Sequence, residues 1–219
     1  MKRQKNLCNI FLKFKKMQLS NKFFRGDKIG IASHNQGKIN EFKTLLADYN
    51  LKILTSHDIG ISDVKETGKT FQENSLIKVK SIPDNYIAIS DDSGLSVNSL
   101  GGKPGIYSSR FQKKCGGWFE AMERIISDVR TKKPEDFSAK FTCCLSIKFS
   151  KNLIYSYLGE IKGKIVWPPK GRNGFGYDPF FIPKGYDETF AEMEHSEKIF
   201  IDHRSIALKK LIKLHLSDN

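Results

Sequence analysis

The 219-residue sequence predicts an α/β fold, and three stretches carry that prediction. Lys28 to Ser33 (KIGIAS) reads as a buried strand. After a short polar turn, Ile39, Phe42, Leu45, Leu46 and Tyr49 recur at the three-and-four spacing of an amphipathic helix. Ile87, Ala88 and Ile89 form a second apolar run that stops at two adjacent acids, Asp91 and Asp92. Further on, Phe141, Cys143, Leu145, Ile147 and Phe149 alternate with Thr142, Cys144, Ser146 and Lys148, the period-two pattern of a half-buried strand.

The chain opens on a basic segment. Residues 1–26 carry Lys2, Arg3, Lys5, Lys13, Lys15, Lys16, Lys22 and Arg25 and no acid, which accounts for 8 of the 13 units of net positive charge. Clustered cations bind phosphate without sequence preference, so a nucleic-acid-binding module is the reading to weigh against an enzyme. Past residue 26 the excess is small and scattered, as on an ordinary solvated surface, and no stable nucleic-acid partner is expected. Leu7, Ile10, Phe11, Phe14 and Met17 recur at roughly helical spacing, as in a transit peptide, but arginine and serine are sparse. Residues 1–27 are therefore expected to be a disordered extension, with Met17 an alternative start, and residues 28–219 a single domain. No apolar run approaches the ~18 residues of a membrane span. The four cysteines, Cys8, Cys115, Cys143 and Cys144, lack CxxC spacing, which points away from structural zinc and toward a reducing, cytoplasmic setting. An organellar setting follows only if the extension is a transit peptide.

Between the first strand and its helix lie Ser33, His34, Asn35, Gln36, Gly37 and Lys38. A strand, a polar turn and a helix start offer free N–H groups and the positive end of the helix dipole to an anion, an arrangement that holds phosphates. GxxxxGK[ST] is absent, with Ile39 where a P-loop has Ser or Thr, and a plain βα turn capped by Asn35 is the alternative. Leu51 to Thr55 reads as a second strand, and Asp63 to Lys69, containing Glu66, as a polar loop. Helical pattern resumes at Thr70, which makes a capping box with Glu73. Phe71, Leu76, Ile77 and Val79 are the expected core residues of that helix, and Lys78 is expected to point into water.

Chemistry is expected at Asp91 and Asp92. With Ser93 and Gly94 they follow a buried strand, and the carboxyl ends of strands are where open α/β sheets bind ligands. Adjacent carboxylates repel, so a buried pair needs a proton or a cation, and a hard divalent ion such as Mg²⁺ suits oxygen donors. The alternative is an acidic turn closing the strand. Leu100 to Gly105 then packs three glycines and a proline into six residues, a backbone that a ligand can approach closely, and leads to Tyr107 and Arg110. Trp118, Phe119, Met122, Ile125, Ile126 and Val129 form a helix stripe read as core. The strand from Phe141 turns at Ser150, Lys151 and Asn152 into a partner from Leu153 to Leu158. In Val166 to Pro183, Gly174 and Gly176 flank Phe175, a ring able to stack on a base, and Tyr177 and Asp178 follow. His203 and Arg204 open a last helix that packs through Ile206, Leu208, Leu211 and Ile212; a solvated basic turn is the default for that pair.

These stretches, in this order, resemble the Ham1-like inosine triphosphate pyrophosphatases. SHNQGK is similar to the family's T/S-G-N-x-G-K, KETGKTFQENSLIK to its E-T-G-x-T-F-x-E-N-A-x-x-K, and SDDSGLSVNSLGGKPGIYSSRF to its A-D-D-S-G-L-x-V-x-x-L-G-G-x-P-G-x-Y-S-A-R-Y. GRNGFGYDPFF, TFAEM and EKIFIDHRSIALKKL resemble its later motifs, so coverage runs from about Lys28 to about Leu214. The resemblance implies a long central mixed β-sheet flanked by helices, two lobes enclosing a nucleotide cleft, and a homodimer. It implies Mg²⁺-dependent hydrolysis of ITP, dITP and XTP to the monophosphate and pyrophosphate. It makes Asp92 the general base and a metal ligand, Glu66 the second metal carboxylate, and Ser93 a substrate contact. Ser33, His34, Asn35, Gln36, Gly37 and Lys38 would cradle the triphosphate with help from Lys78. Phe175 would stack on the base, with Gly176, Tyr177, Asp178, Lys198, His203 and Arg204 around it. Two departures stand out: His34 occupies a family glycine, and Ile199-Phe200-Ile201-Asp202 replaces N-x-x-S before His203. A Maf-like pyrophosphatase of other modified nucleotides is the nearest rival, and the FGYD and HR segments speak against it.

Overall fold

The computed structural model describes residues 21–133 and 135–217. A two-residue strand, β1 (Phe23–Phe24), leads into a parallel unit of β2 (Lys28–Ala32), β3 (Lys52–Thr55) and β4 (Ile87–Val97). Helices α1 (Gln36–Leu45), α2 (Ser56–Ile59) and α3 (Phe71–Ser81) lie in the connections. β5 (Lys103–Pro104) folds back on the end of β4, and α4 (Ser108–Cys115) and α5 (Trp118–Lys132) lead to a long hairpin, β6 (Ser138–Ser150) and β7 (Leu153–Ile165). β8 (Phe181–Pro183), α6 (His195–Ile201), α7 (His203–His215) and β9 (Leu216–Ser217) follow. The result is a mixed sheet of seven strands in the order β3-β2-β4-β6-β7-β8, with β5 beside β4. It is parallel from β3 to β4 and antiparallel beyond. The hairpin expected after Phe141 thus extends the same sheet.

β4 departs from expectation in one respect. The acids do not end it, because antiparallel pairing with β6 continues from Ala88 to Val97 and leaves Asp91 and Asp92 in mid-strand. What ends there is the parallel neighbour β2, whose last pairing is Ala32 with Ser90. The carboxyl-end rule therefore holds for β2, and the acids lie just past its tip.

The alternation in β6 predicts one wet face, yet Thr142, Cys144, Ser146 and Lys148 are as buried as their apolar neighbours. Leu208 and Leu211 of α7 cover the apolar face, while α3 covers the polar one. There Ser75 donates to Ser146 at 2.9 Å and lies 3.1 Å from the Ser90 hydroxyl, so hydroxyl pairs take the place of hydrocarbon. Consequently α3 turns Asn74, Ser75 and Lys78 inward beside Val79, and leaves Phe71, Leu76 and Ile77 half-buried. Thr70 caps it by accepting from the Glu73 N–H at 3.1 Å, but Glu73 returns to the Lys69 N–H, at 2.6 Å, rather than to Thr70. Phe119 also leaves its expected place, sitting exposed against Trp167.

Residues 21–27 belong to the fold rather than to an extension. β1 pairs in parallel with β9, Phe23 is fully buried, and Asp27 accepts from the Phe24 N–H at 2.8 Å. Residues 1–20, the remainder of the expected extension, lie outside the described residues. No helix among the described residues is long and apolar enough to cross a membrane.

Two large hydrophobic clusters form the core. One gathers Ile29, Ile31, Phe42, Ile89, Leu145 and Leu208; the other gathers Leu95, Val97, Met122, Ile125, Phe141 and Phe180. Along β4 the change of cluster falls between Ile89 and Leu95, so Asp91 to Gly94 occupy the seam.

Candidate active site

A cleft of about 630 Å³ opens at that seam. Successive side chains of a strand leave opposite faces, and Asp91 and Asp92 obey this. Asp91 meets Lys38 of α1 at 2.9 Å and Arg204 of α7 at 3.0 Å. Asp92 meets Asn74 at 3.0 Å and Lys78 at 3.4 Å, both from α3. Asp91 contacts two cations and Asp92 one, which answers the repulsion that adjacency predicts. Their protonation is also driven apart. Burial raises both, but around Asp91 the charges of Lys38, Arg204 and Lys78 overcome it and hold the carboxyl well below the usual range. At Asp92 burial prevails over Lys78 and Lys38, Glu66 adds to it, and the carboxyl is pushed up.

Lys78, expected in water, is buried. Its Nζ lies 2.6 Å from Glu66 Oε1 and bridges that group to Asp92. Burial lowers its pKa, but Asp92, Asp91 and Glu66 together raise it. Glu66 sits on the irregular loop between α2 and α3, half-buried. The Arg110 Nη1 donates to its carbonyl at 3.5 Å.

At the start of α1, Asn35 is the cap, accepting from the Lys38 N–H at 3.1 Å, and Ser33 Oγ accepts from the Asn35 N–H at 3.2 Å. Ser33, His34, Asn35 and Lys38 line the cleft. Gln36 and Gly37 do not: Gln36 donates to Asn40 at 2.7 Å on the exposed side, and Gly37 backs the Phe175 ring. A Cβ at Gly37 would fall 2.6 Å from that ring.

The aromatic loop lies at the other end. Gly174 (φ 74°) and Gly176 (φ 68°) adopt the left-handed backbone around Phe175, and Asp178 accepts from the Phe175 N–H at 2.8 Å. Lys198 is held between Asp178 at 2.7 Å and Glu41 at 2.8 Å, and its Nζ stands 5.2 Å from the Phe175 ring centre. The second oxygen of Glu41 takes Arg204, which also donates to Ser93 Oγ at 3.2 Å. Ser93 in turn donates to Asp91 at 3.1 Å. His203 stacks flat on Phe141, with centroids 4.8 Å apart. Burial, reinforced by the charges of Arg204 and Lys198, pushes its pKa well down and leaves a neutral imidazole. The expected solvated basic turn is therefore corrected: Arg204 is 1% exposed, and Tyr177 Oη, His203 Nδ1 and Arg204 Nε are buried without partners. Asp202 caps α7 by accepting from the Ser205 N–H at 2.7 Å, while its Oδ2 has no partner. Burial and the nearby Glu41 push its pKa up to about 6.

Every candidate site residue except Gln36, Gly37 and Asp91 lines this one cleft, and Asp91 lies behind it, bound to Lys38 and Arg204. Glu41 was missed, although it interrupts the buried stripe of α1 between Ile39 and Phe42, and a buried acid demands a buried cation. Asn74 and the cation pair on Asp91 were missed as well.

A model of the Ham1 family matches residues 29–214. The dITP/XTP pyrophosphatase of Bacillus subtilis (strain 168) is 39% identical over 187 residues, spanning 84% of this chain and 94% of that protein. The dITP/XTP pyrophosphatase of Prochlorococcus marinus (strain NATL1A) is 43% identical over 185 residues, spanning 83% and 90%. Among solved structures, a HAM1 protein from Coxiella burnetii superposes with a TM-score of 0.78 at 34% identity, covering 85% of this chain and 97% of that one. The Staphylococcus aureus Ham1 protein gives 0.74 at 36% identity over the same shares, 85% and 97%.

Proposed function

The chain belongs to the Ham1 family, and from that membership we propose that it hydrolyses ITP, dITP and XTP to the monophosphate and pyrophosphate, removing non-standard purines from the nucleotide pool. The observation that carries this reading is the division of labour between the two adjacent acids: Asp91 is locked to Lys38 and Arg204, while Asp92 faces the cleft with a raised pKa. A carboxylate so placed suits a general base. In this reaction Asp92 takes a proton from water, the water oxygen bonds to the α-phosphorus, and the bridging P–O bond to the β-phosphate breaks. The electron pair leaves with pyrophosphate. Lys38 and Ser33 hold the triphosphate from the start of α1. Phe175 stacks on the base, and Lys198, His203 and Asp178 surround its edge.

Glu66 and Asp92 fit a Mg²⁺ ion. Both are hard oxygen donors, and they converge on the single ammonium of Lys78, a place where positive charge is already favoured. Glu66 and Asp92 would hold the ion, with substrate phosphate oxygens as further donors of the same hard type. When bound it supplies charge that offsets the phosphate oxygens. The same reading makes the protein a cytoplasmic homodimer, which light scattering and cell fractionation would test. The deciding experiment is release of pyrophosphate against orthophosphate from ITP, XTP, ATP and GTP, with and without Mg²⁺. Metal-dependent pyrophosphate from ITP and XTP is the expected result; orthophosphate, or equal turnover of ATP, would overturn it.

A further inference from the structure

Asn74 stands apart from every group discussed so far, because both ends of its side-chain amide are used and they pull on different parts of the site. Its Nδ2 donates to Asp92 Oδ2 at 3.0 Å, and its Oδ1 accepts from the Gly68 N–H at 2.8 Å. Gly68 lies two residues beyond Glu66 on a loop with no regular structure, whereas Asp92 lies on the central strand of the sheet. Asn74 itself is fully buried in the first turns of α3. The contact at Gly68 depends on the missing side chain, since a Cβ there would fall 2.7 Å from Asn74 Oδ1 and 2.6 Å from Glu73 Cβ. From this geometry we infer that Asn74 is a positioning residue, fixing the Glu66 loop against Asp92 so that the two carboxylates face one divalent cation at the right separation.

The inference rests on the proposed roles of Glu66 and Asp92. The chemistry behind it is general: a ligand carboxylate is oriented by its own hydrogen-bond partner, and loss of such a partner typically costs 10- to 100-fold in metal affinity or activity. An amide is the group this position needs, since one end must donate to a carboxylate and the other must accept from a backbone N–H. Asn74→Leu keeps the approximate size of the side chain and loses both the donor for Asp92 and the acceptor for Gly68 without adding charge. A methyl at Gly68 leaves the Asn74–Asp92 bond and displaces the loop.

The test uses the full chain with Asn74→Leu and, independently, Gly68→Ala, each checked for native far-UV circular dichroism. Mn²⁺ is titrated by electron paramagnetic resonance into nucleotide-free protein and into protein saturated with inorganic pyrophosphate, and ITP turnover is followed against Mg²⁺ concentration. Both variants are expected to lose Mn²⁺ affinity by roughly 10-fold or more and to need correspondingly more Mg²⁺, with kcat falling further than KM for ITP rises. Wild-type Mn²⁺ affinity in both titrations, in either folded variant, would overturn the assignment. The Mn²⁺ comparison stands even if the wild-type chain fails to release pyrophosphate from ITP, so failure of the proposed activity and failure of the role of Asn74 remain distinguishable. Should Asn74→Leu not fold, Gly68→Ala carries the same decision.

Discussion

Asp92, Arg204 and Asp202 show how far a side chain's role depends on what surrounds it. Asp92→Asn keeps the shape of the group but removes the base, and kcat for pyrophosphate release is expected to fall by roughly 10²- to 10⁴-fold, with a much smaller change in KM. Near-native turnover would take Asp92 out of the mechanism. The resemblance makes Arg204 a substrate contact, and in the structure two of its guanidinium nitrogens are held by Glu41, Asp91 and Ser93. Arg204→Ala leaves two buried acids without that partner, so a loss of about 3–5 kcal/mol in a denaturant unfolding curve is expected. A variant as stable as the parent would mean that Lys198 and Lys38 suffice. Asp202, in place of the family serine, runs the other way. Its proton leaves near the ordinary 3.8 in the unfolded chain and near 6 in the folded one. As pH rises through that window the folded state holds a proton that the unfolded state has lost, so stability falls and a penalty on the order of 2–3 kcal/mol persists above it. Asp202→Asn keeps an oxygen for the Ser205 N–H and removes the charge. It should raise the denaturant midpoint at about pH 8 and change it little at about pH 4; equal shifts at both would exclude the titration.

At the scale of elements, the cleft is made where α1, α3, α7 and the aromatic loop converge on β4. The start of α1 serves two surfaces, lining the cleft with Asn35 and Lys38 and offering the bare backbone of Gly37 to Phe175. Gly37→Ala supplies the methyl that a helix prefers by up to ~1 kcal/mol, yet drives the ring away. We expect an unchanged or higher melting temperature together with a raised KM for ITP; an unchanged KM would show that Phe175 does not depend on that contact. The hydrophobic stripe of α1 and the strand–turn–helix order were legible because their periodicity is local. α3 was legible only as a helix. Its inward face is polar because it lies over Ser90, Asp92 and Ser146, and no periodicity of apolar residues can report that. The same contact explains why β6, which reads as half-wet, is covered on both sides.

For the whole molecule, β1 and β9 bring the two ends of the described chain together, and Phe23 joins the cluster formed by Phe42, Ile147 and Leu211. Removing residues 1–20 is expected to leave melting temperature and pyrophosphate release unchanged. Removing residues 1–24 also deletes a fully buried phenylalanine, which costs about 3–5 kcal/mol and lowers the melting temperature accordingly. Loss of turnover on the shorter deletion would instead give the basic segment a part in catalysis. The order of motifs, the paired acids, the glycines around Phe175 and the family were all readable from the sequence by itself, since each lies within a few residues of chain. Only the tertiary structure decided which face each acid serves, that Lys78 is buried between Glu66 and Asp92, and that Glu41 ties Lys198 and Arg204 together across 157 and 163 positions. The physical reason is range. Backbone periodicity is set by neighbours three or four residues away, whereas the charge on a buried group is set by whichever partner the folded sheet brings beside it.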